Sequence, residues 1–147
     1  MKYLIIKTDG GARGNPGPAG IGAVFYDENK TVIKKFSDYI GEATNNVAEY
    51  EAVILAMQKA KSSFGKESAK KMSLDFKLDS ELVVKQLNHE YKIQEENMQK
   101  LFLKIWNLML DFGAVSFSHI PREENKEADA LVNEELDKQG SKKYLFN

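Results

Sequence analysis

The sequence predicts an α/β domain, a mixed five-stranded sheet flanked by helices with its elements in the order βββαβααβα. Three observations predict it. The first forty residues divide into three strand-like runs separated by turn-rich segments; from Asn46 the apolar period lengthens to three or four residues; and short strands then alternate with helical segments.

Lys2–Thr8, Gly20–Asp27 and Thr31–Ile40 read as the first three strands. The glycine-rich stretch Gly10–Gly20 and the tight Glu28-Asn29-Lys30 turn join them, so they form an antiparallel meander with Asp9 at the end of the first strand. Gly10 and Gly11 allow the backbone there to take positive φ and approach a ligand closely. Val47, Tyr50, Ile54, Met57 and Ala60 recur at helical spacing, which gives a helix ending near Phe64-Gly65. Met72–Leu78 alternates as a fourth strand, and a helix follows at once with Asp79 as its N-cap. Glu95–Phe112 is a further helix, stopped by Gly113, with Trp106 expected in the core. Ala114–Ile120 is the fifth strand, Pro121–Glu124 a turn, and residues 125–139 the last helix. A long helix between the third and fourth strands permits a parallel crossover, and hence a mixed sheet in which the first and fourth strands can lie side by side.

The 147 residues suit one domain, here taken as residues 1–139 with a short tail at 140–147, in which Tyr144, Leu145 and Phe146 either pack back on the sheet or float. No apolar run approaches the roughly 20 residues that would span a bilayer, and the first seven residues are too short for a signal peptide, so a cytoplasmic monomer without membrane association is expected. With no cysteine and two histidines, any metal must be held by oxygen, which favours Mg²⁺ or Mn²⁺. A net charge of −1 argues against nucleic-acid binding by bulk electrostatics. Lysines 59, 61, 66, 70, 71 and 77 nevertheless crowd one connection, and 138, 142 and 143 lie near the C-terminus; either group reads as a solvated surface by itself.

Asp9, Glu49, Asp79 and Asp129 are the candidate metal-ligating residues. If the first and fourth strands are parallel neighbours, Asp9 and Asp79 both fall at their C-terminal ends, where open α/β sheets place ligands. Glu49 precedes Ala52, Val53 and Ala56, and Asp129 precedes Val132 and Leu136, spacings that turn both acids toward the protein. Singly they could be a turn residue, an N-cap and two helix-border polar residues. Together they would repel unless divalent cations neutralised them.

Four blocks carry a resemblance: "TDGGARGNPGPAGIGAV", "TNNVAEYEAVILAM", "LDSELVVKQLN" and "HIPREENKEADALVN". In that order they resemble the type 1 ribonuclease H family, in the archaeal-like form, from about Tyr3 to Asp137. The resemblance implies a ribonuclease H-like fold and an endoribonuclease that cleaves the RNA strand of RNA/DNA hybrids. It uses two Mg²⁺ ions, with Mn²⁺ as a substitute and no small-molecule cofactor, and leaves 3′-hydroxyl and 5′-phosphate ends. By the family pattern Asp9 bridges both ions, Asp129 completes the ion beside the attacking water, and Glu49 and Asp79 hold the ion near the leaving group. Asn15, Asn45 and Asn46 match positions that touch the hybrid's minor groove, where the Gly10-Gly11 backbone can also sense ribose, and Thr44 matches a DNA-phosphate contact; Thr44-Asn45-Asn46 also suit a helix cap.

Departures from the family bear on mechanism. Where many bacterial members carry a mobile histidine, this chain has Pro121-Arg122-Glu123-Glu124, and Arg122 is the substitute expected to contact a phosphate or a metal-bound water. His119 is expected to be a packed strand-end residue. Tyr26 replaces a phosphate-binding arginine, and only Tyr91-Lys92-Ile93-Gln94 stands where some members insert a basic handle, which implies weaker, salt-sensitive binding. A catalytically silent nucleic-acid-binding module and a same-fold nuclease acting on double-stranded RNA are the alternatives.

Overall fold

The computed structural model describes residues 3–146. Its strands are β1 (Tyr3–Ala12), β2 (Gly17–Tyr26), β3 (Val32–Ala43), β4 (Ser73–Leu78) and β5 (Ala114–His119). Its helices are α1 (Asn45–Phe64), α2 (Lys66–Ala69), α3 (Glu81–Leu87), α4 (Glu96–Met109) and α5 (Lys126–Phe146), with a 3₁₀ turn at Arg122–Glu124. The sheet order is β3-β2-β1-β4-β5; β1, β2 and β3 form the expected antiparallel meander, while β4 and β5 run parallel to β1. The expected mixed five-stranded sheet is therefore present, with one unforeseen helical turn, α2.

Both faces of the central strands are buried because each carries its own apolar set. Leu4, Ile6, Phe25, Leu74 and Phe76 meet Tyr50, Ile54 and Met57 of α1 and Ile105 of α4. Ile5, Val24 and Tyr26 meet Ala128 and Leu131 of α5 on the opposite side. Period-two alternation places Leu4 and Ile6 on one face of β1 and Ile5 on the other.

The first hairpin is longer than the sequence suggested. Pairing continues through Asp9↔Gly22, Gly10↔Ile21, Gly11↔Gly20 and Ala12↔Ala19, so the turn shrinks to residues 13–16 and Asp9 lies inside β1 rather than at its end. Parallel pairing of β1 with β4 does stop one residue earlier, at Thr8↔Leu78. Asp9 and Asp79 thus follow the last paired residues of two neighbouring strands. Gly10 and Gly11 do not take positive φ; Gly14 in the turn does, at 95°.

Two glycines set how closely the helices approach. A Cβ on Gly10 would lie 2.3 Å from the backbone carbonyl carbon and oxygen of Ala48, and one on Gly22 would lie 2.9 Å from Ala128 O and Leu131 Cβ. Neither position accommodates a side chain without backbone movement. Since Asp9 pairs with Gly22, α1 and α5 both close on the sheet beside that carboxylate.

Trp106 is not in the core. It is 46% exposed, beside exposed Leu103 and Leu110, because Met98 and Ile105 are the α4 residues that turn fully inward. As the sole tryptophan, Trp106 is expected to be quenched by acrylamide almost as strongly in the folded protein as in denaturant. A well-shielded native fluorescence would contradict this placement. His119 is likewise exposed rather than packed, and its Nε2 lies 3.3 Å from Asp79 O. The last helix carries its backbone through residues 140–146. The side chains from Ser141 onward, and with them Lys142, Lys143 and the packing considered for Tyr144, Leu145 and Phe146, lie outside the described residues.

Candidate metal centre

Asp9, Glu49 and Asp79 each offer a carboxylate oxygen, and the three oxygens lie within 4.8 Å of one another. β1 supplies Asp9, the second turn of α1 supplies Glu49, and the β4–α3 junction supplies Asp79. The Gly10 N–H donates to Asp9 Oδ1 at 3.0 Å and to Glu49 Oε1 at 3.2 Å, so the close β1–α1 packing also orients two acids. Asp79 is not the N-cap of α3. Ser80 is, its Oγ accepting from Val83 N at 3.3 Å, which leaves the Asp79 carboxylate free to face the cluster.

These acids floor an open cavity of about 350 Å³, around which stand Gly10, Gly11, Asn45, Asn46, Arg122 and Asp129. Asp129 is exposed at the rim rather than turned into the protein; Val132 and Leu136 of the same helix are the buried residues. It is close enough for its charge to act on Asp9. Four expected acids therefore share one cavity, three of them in a tight group.

Burial pushes the Asp9 carboxyl up to about 7, with the charges of Asp79 and Asp129 adding to the rise and Glu49 partly offsetting it. Burial also holds Glu49 well above the usual carboxylate range, reinforced by the Asp9 charge and only partly opposed by the Gly10 N–H. Asp9 is 8% and Glu49 6% exposed, and Glu49 Oε2 is buried without a hydrogen-bond partner among the described residues. An orphaned carboxylate oxygen within an all-oxygen donor set fits a hard divalent cation.

The expected substrate residues divide into two groups. Gly10, Gly11, Asn45 and Asn46 line the cavity. Asn15 and Thr44 make local structural bonds: Asn15 Oδ1 accepts from Asn45 N at 3.0 Å, and Thr44 Oγ1 caps α1 by accepting from Val47 N at 3.2 Å. Asn45 Oδ1 in turn accepts from Ala12 N at 2.8 Å, tying the start of α1 to β1. Tyr26 is buried, its hydroxyl donating to Glu127 Oε1 at 3.1 Å. The eight residues joining α3 to α4 leave no room for a handle. Within the lysine group, Lys61 pairs with Asp111 at 3.1 Å and Lys77 with Asp75 at 3.4 Å.

Three residues at the site escaped the sequence reading. Asn125 is fully buried against Asp79, Asn133 Nδ2 donates to Asp129 Oδ2 at 3.3 Å, and Arg13 Nη2 donates to Asp137 Oδ1 at 2.7 Å on the cavity wall. The only signal for Asn133 was its spacing of four from Asp129 on a helix.

Residues 7–135 match a family model described as reverse transcriptase-like. The chain is 38% identical over 135 residues to the bifunctional protein Rv2228c of Mycobacterium tuberculosis, covering 91% of this chain and 35% of that protein. It is also 38% identical over 129 residues to ribonuclease HI of Halobacterium salinarum, covering 88% of this chain and 62% of that one. The chain thus spans about a third of the first relative and under two thirds of the second. Among solved structures it is similar to LC11-RNase H1 in complex with RNA/DNA hybrid, with a TM-score of 0.88 and 47% identity over 92% of this chain and 98% of that one.

Proposed function

Because the chain belongs to the type 1 ribonuclease H family, we propose that it is an endoribonuclease that hydrolyses the RNA strand of RNA/DNA hybrids with two divalent ions, Mg²⁺ or Mn²⁺, leaving 3′-hydroxyl and 5′-phosphate ends. The observation that carries this reading is the cluster of Asp9, Glu49 and Asp79 at the floor of an open cavity with Asp129 on its rim. The hybrid bound to LC11-RNase H1 supports the substrate class.

Asp9, Glu49, Asp79 and Asp129 are the residues that would hold the ions. When bound, these supply the positive charge that makes hydroxide available and stabilises the departing oxyanion. The chain contributes orientation: the Gly10 N–H fixes two of the acids, and the buried setting of Asp9 and Glu49 keeps their field undiluted by water. Asn45 and Asn46 offer short polar groups to a wide, shallow minor groove with its 2′-hydroxyls. Arg122, exposed on the rim, brings a guanidinium to the phosphate.

Arg122→Ala is expected to lower kcat/KM on hybrid by about 10-fold, the worth of one charge-assisted hydrogen bond of roughly 1.5 kcal/mol. Unchanged turnover would remove Arg122 from the mechanism. The function as a whole is tested by incubating the protein with end-labelled RNA/DNA, RNA/RNA and DNA/DNA duplexes, with Mg²⁺, Mn²⁺ or chelator. Cutting confined to the hybrid's RNA strand is expected. Binding without cutting would replace the proposal with a silent module, and equal cutting of RNA/RNA would broaden the substrate.

A further inference from the structure

Asn125 lies between the 3₁₀ turn and α5 and is 0% exposed. Its side chain spans the point where β1 and β4 part: Nδ2 donates to Thr8 O at 2.8 Å and to Asp79 Oδ2 at 3.0 Å. Thr8 and Leu78 are the last paired residues of that parallel ladder, so the amide reaches both strands just before Asp9 and at Asp79. Its backbone carbonyl accepts the Asp129 N–H at 3.1 Å within the first turn of α5. One residue therefore bonds to Asp79 through its side chain and to Asp129 through its main chain.

The chemistry selects an amide. A single nitrogen with two protons satisfies a carbonyl and a carboxylate at once, which neither a hydroxyl nor a carboxylate could do. Oδ1 of Asn125 is buried without a partner among the described residues, a cost the fold would not carry for a residue that merely fills space.

We infer that Asn125 is a positioning residue for the carboxylate cluster. It fixes the direction of the Asp79 carboxylate and, through α5, the register of Asp129 against the β1/β4 edge. The inference rests on the metal-dependent reading of the site. Loss of a group that orients a ligand typically lowers metal affinity 10- to 100-fold.

The test is a double-mutant cycle read by calorimetric titration of Mn²⁺ into the purified full chain, at a temperature where circular dichroism shows each variant folded. Asn125→Ala is expected to weaken Mn²⁺ binding by about 10-fold. In an Asp79→Asn background the same substitution is expected to weaken it by less than about 2-fold, since the bond it removes no longer orients a carboxylate. On hybrid, the Mg²⁺ concentration for half-maximal rate should rise while KM for the duplex stays within about 2-fold, because the amide bonds an acid and not the duplex. Unaltered Mn²⁺ binding by Asn125→Ala, or an equal loss in both backgrounds, would overturn the inference by reducing Asn125 to a fold-stabilising residue. Should Asn125→Ala melt below the assay temperature, Asn125→Ser is read by the same criteria. A wild-type protein that binds Mn²⁺ yet cuts no hybrid would remove the proposed function and leave this inference standing on the calorimetry.

Discussion

Asp9→Asn is expected to lose hybrid cleavage by on the order of 10³-fold or more while melting at a higher temperature than the wild type in metal-free buffer. Both effects have one cause. Asp9 stands in a buried cluster with Glu49 and Asp79, where an uncompensated charge is unfavourable. Its carboxyl is raised from 3.8 to about 7, so between those values the folded chain holds a proton that the unfolded chain has released. Asp9's share of the folding stability of the metal-free wild type must then fall as pH rises through that window, and level off above it. An asparagine carries no such charge and keeps an oxygen for the Gly10 N–H. The gain should be near zero at about pH 4 and reach about 2–4 kcal/mol above pH 7, or roughly 5–10 °C in Tm. Thermal melts in chelator at the two pH values check it. A variant that melts no higher at pH 8 would mean that Asp9 is not electrostatically strained.

Gly10→Ala is expected to be severely damaging for the addition of a single methyl group. The added Cβ would meet the Ala48 carbonyl at 2.3 Å and Glu49 N at 2.7 Å, all backbone atoms that no rotamer change can move. α1 must lift from β1, at a cost of about 3 kcal/mol or more. The lift also carries Glu49 away from Asp9, and a displacement of about 1 Å at a catalytic group can cost about 100-fold in rate. Gly65→Ala provides the contrast, since a Cβ there meets nothing within 4 Å and only its φ of 88° is strained. Denaturant unfolding and hybrid cleavage of both variants are the measurements. A Gly10→Ala protein with near-native stability would show that the close approach of α1 is not required.

The order of strands and helices was legible because the apolar period changes sharply at Asn46, and because Gly65 stops α1 where the pattern stops; α4 instead ends at Met109, three residues before the expected Phe112, with Leu110 rather than Gly113 at its C-cap. The four acids were legible as a group because periodicity set each near the end of an expected element, although Asp9 lies within β1. What periodicity could not locate was the outcome of competition between neighbours. Asp79 and Ser80 are both able to cap α3, and the serine does so. The Gly10–Gly20 stretch reads as turn chemistry, yet most of it pairs as strand, because its glycines admit two helices against the sheet. Trp106 sits on an apolar helix, but α4 buries a narrower face than the pattern implied. Asp129 follows the spacing of an inward residue, but the cavity opens at its position and leaves it in water. Asn125, an asparagine ahead of a helix, carried no sign of the two strands it reaches.

Whether these carboxylates form a divalent-ion centre for cutting hybrid RNA is decided by single-turnover cleavage of an end-labelled RNA/DNA hybrid, comparing wild type with Asp129→Asn in Mg²⁺ and in chelator. Asp129 is exposed, so its replacement should leave the fold intact and any loss of rate reports on the site itself. Rapid cutting of the RNA strand by the wild type in Mg²⁺ only is expected, with the variant slowed by about 100-fold or more. Cutting that persists in chelator, or an Asp129→Asn protein as fast as the wild type, would contradict it.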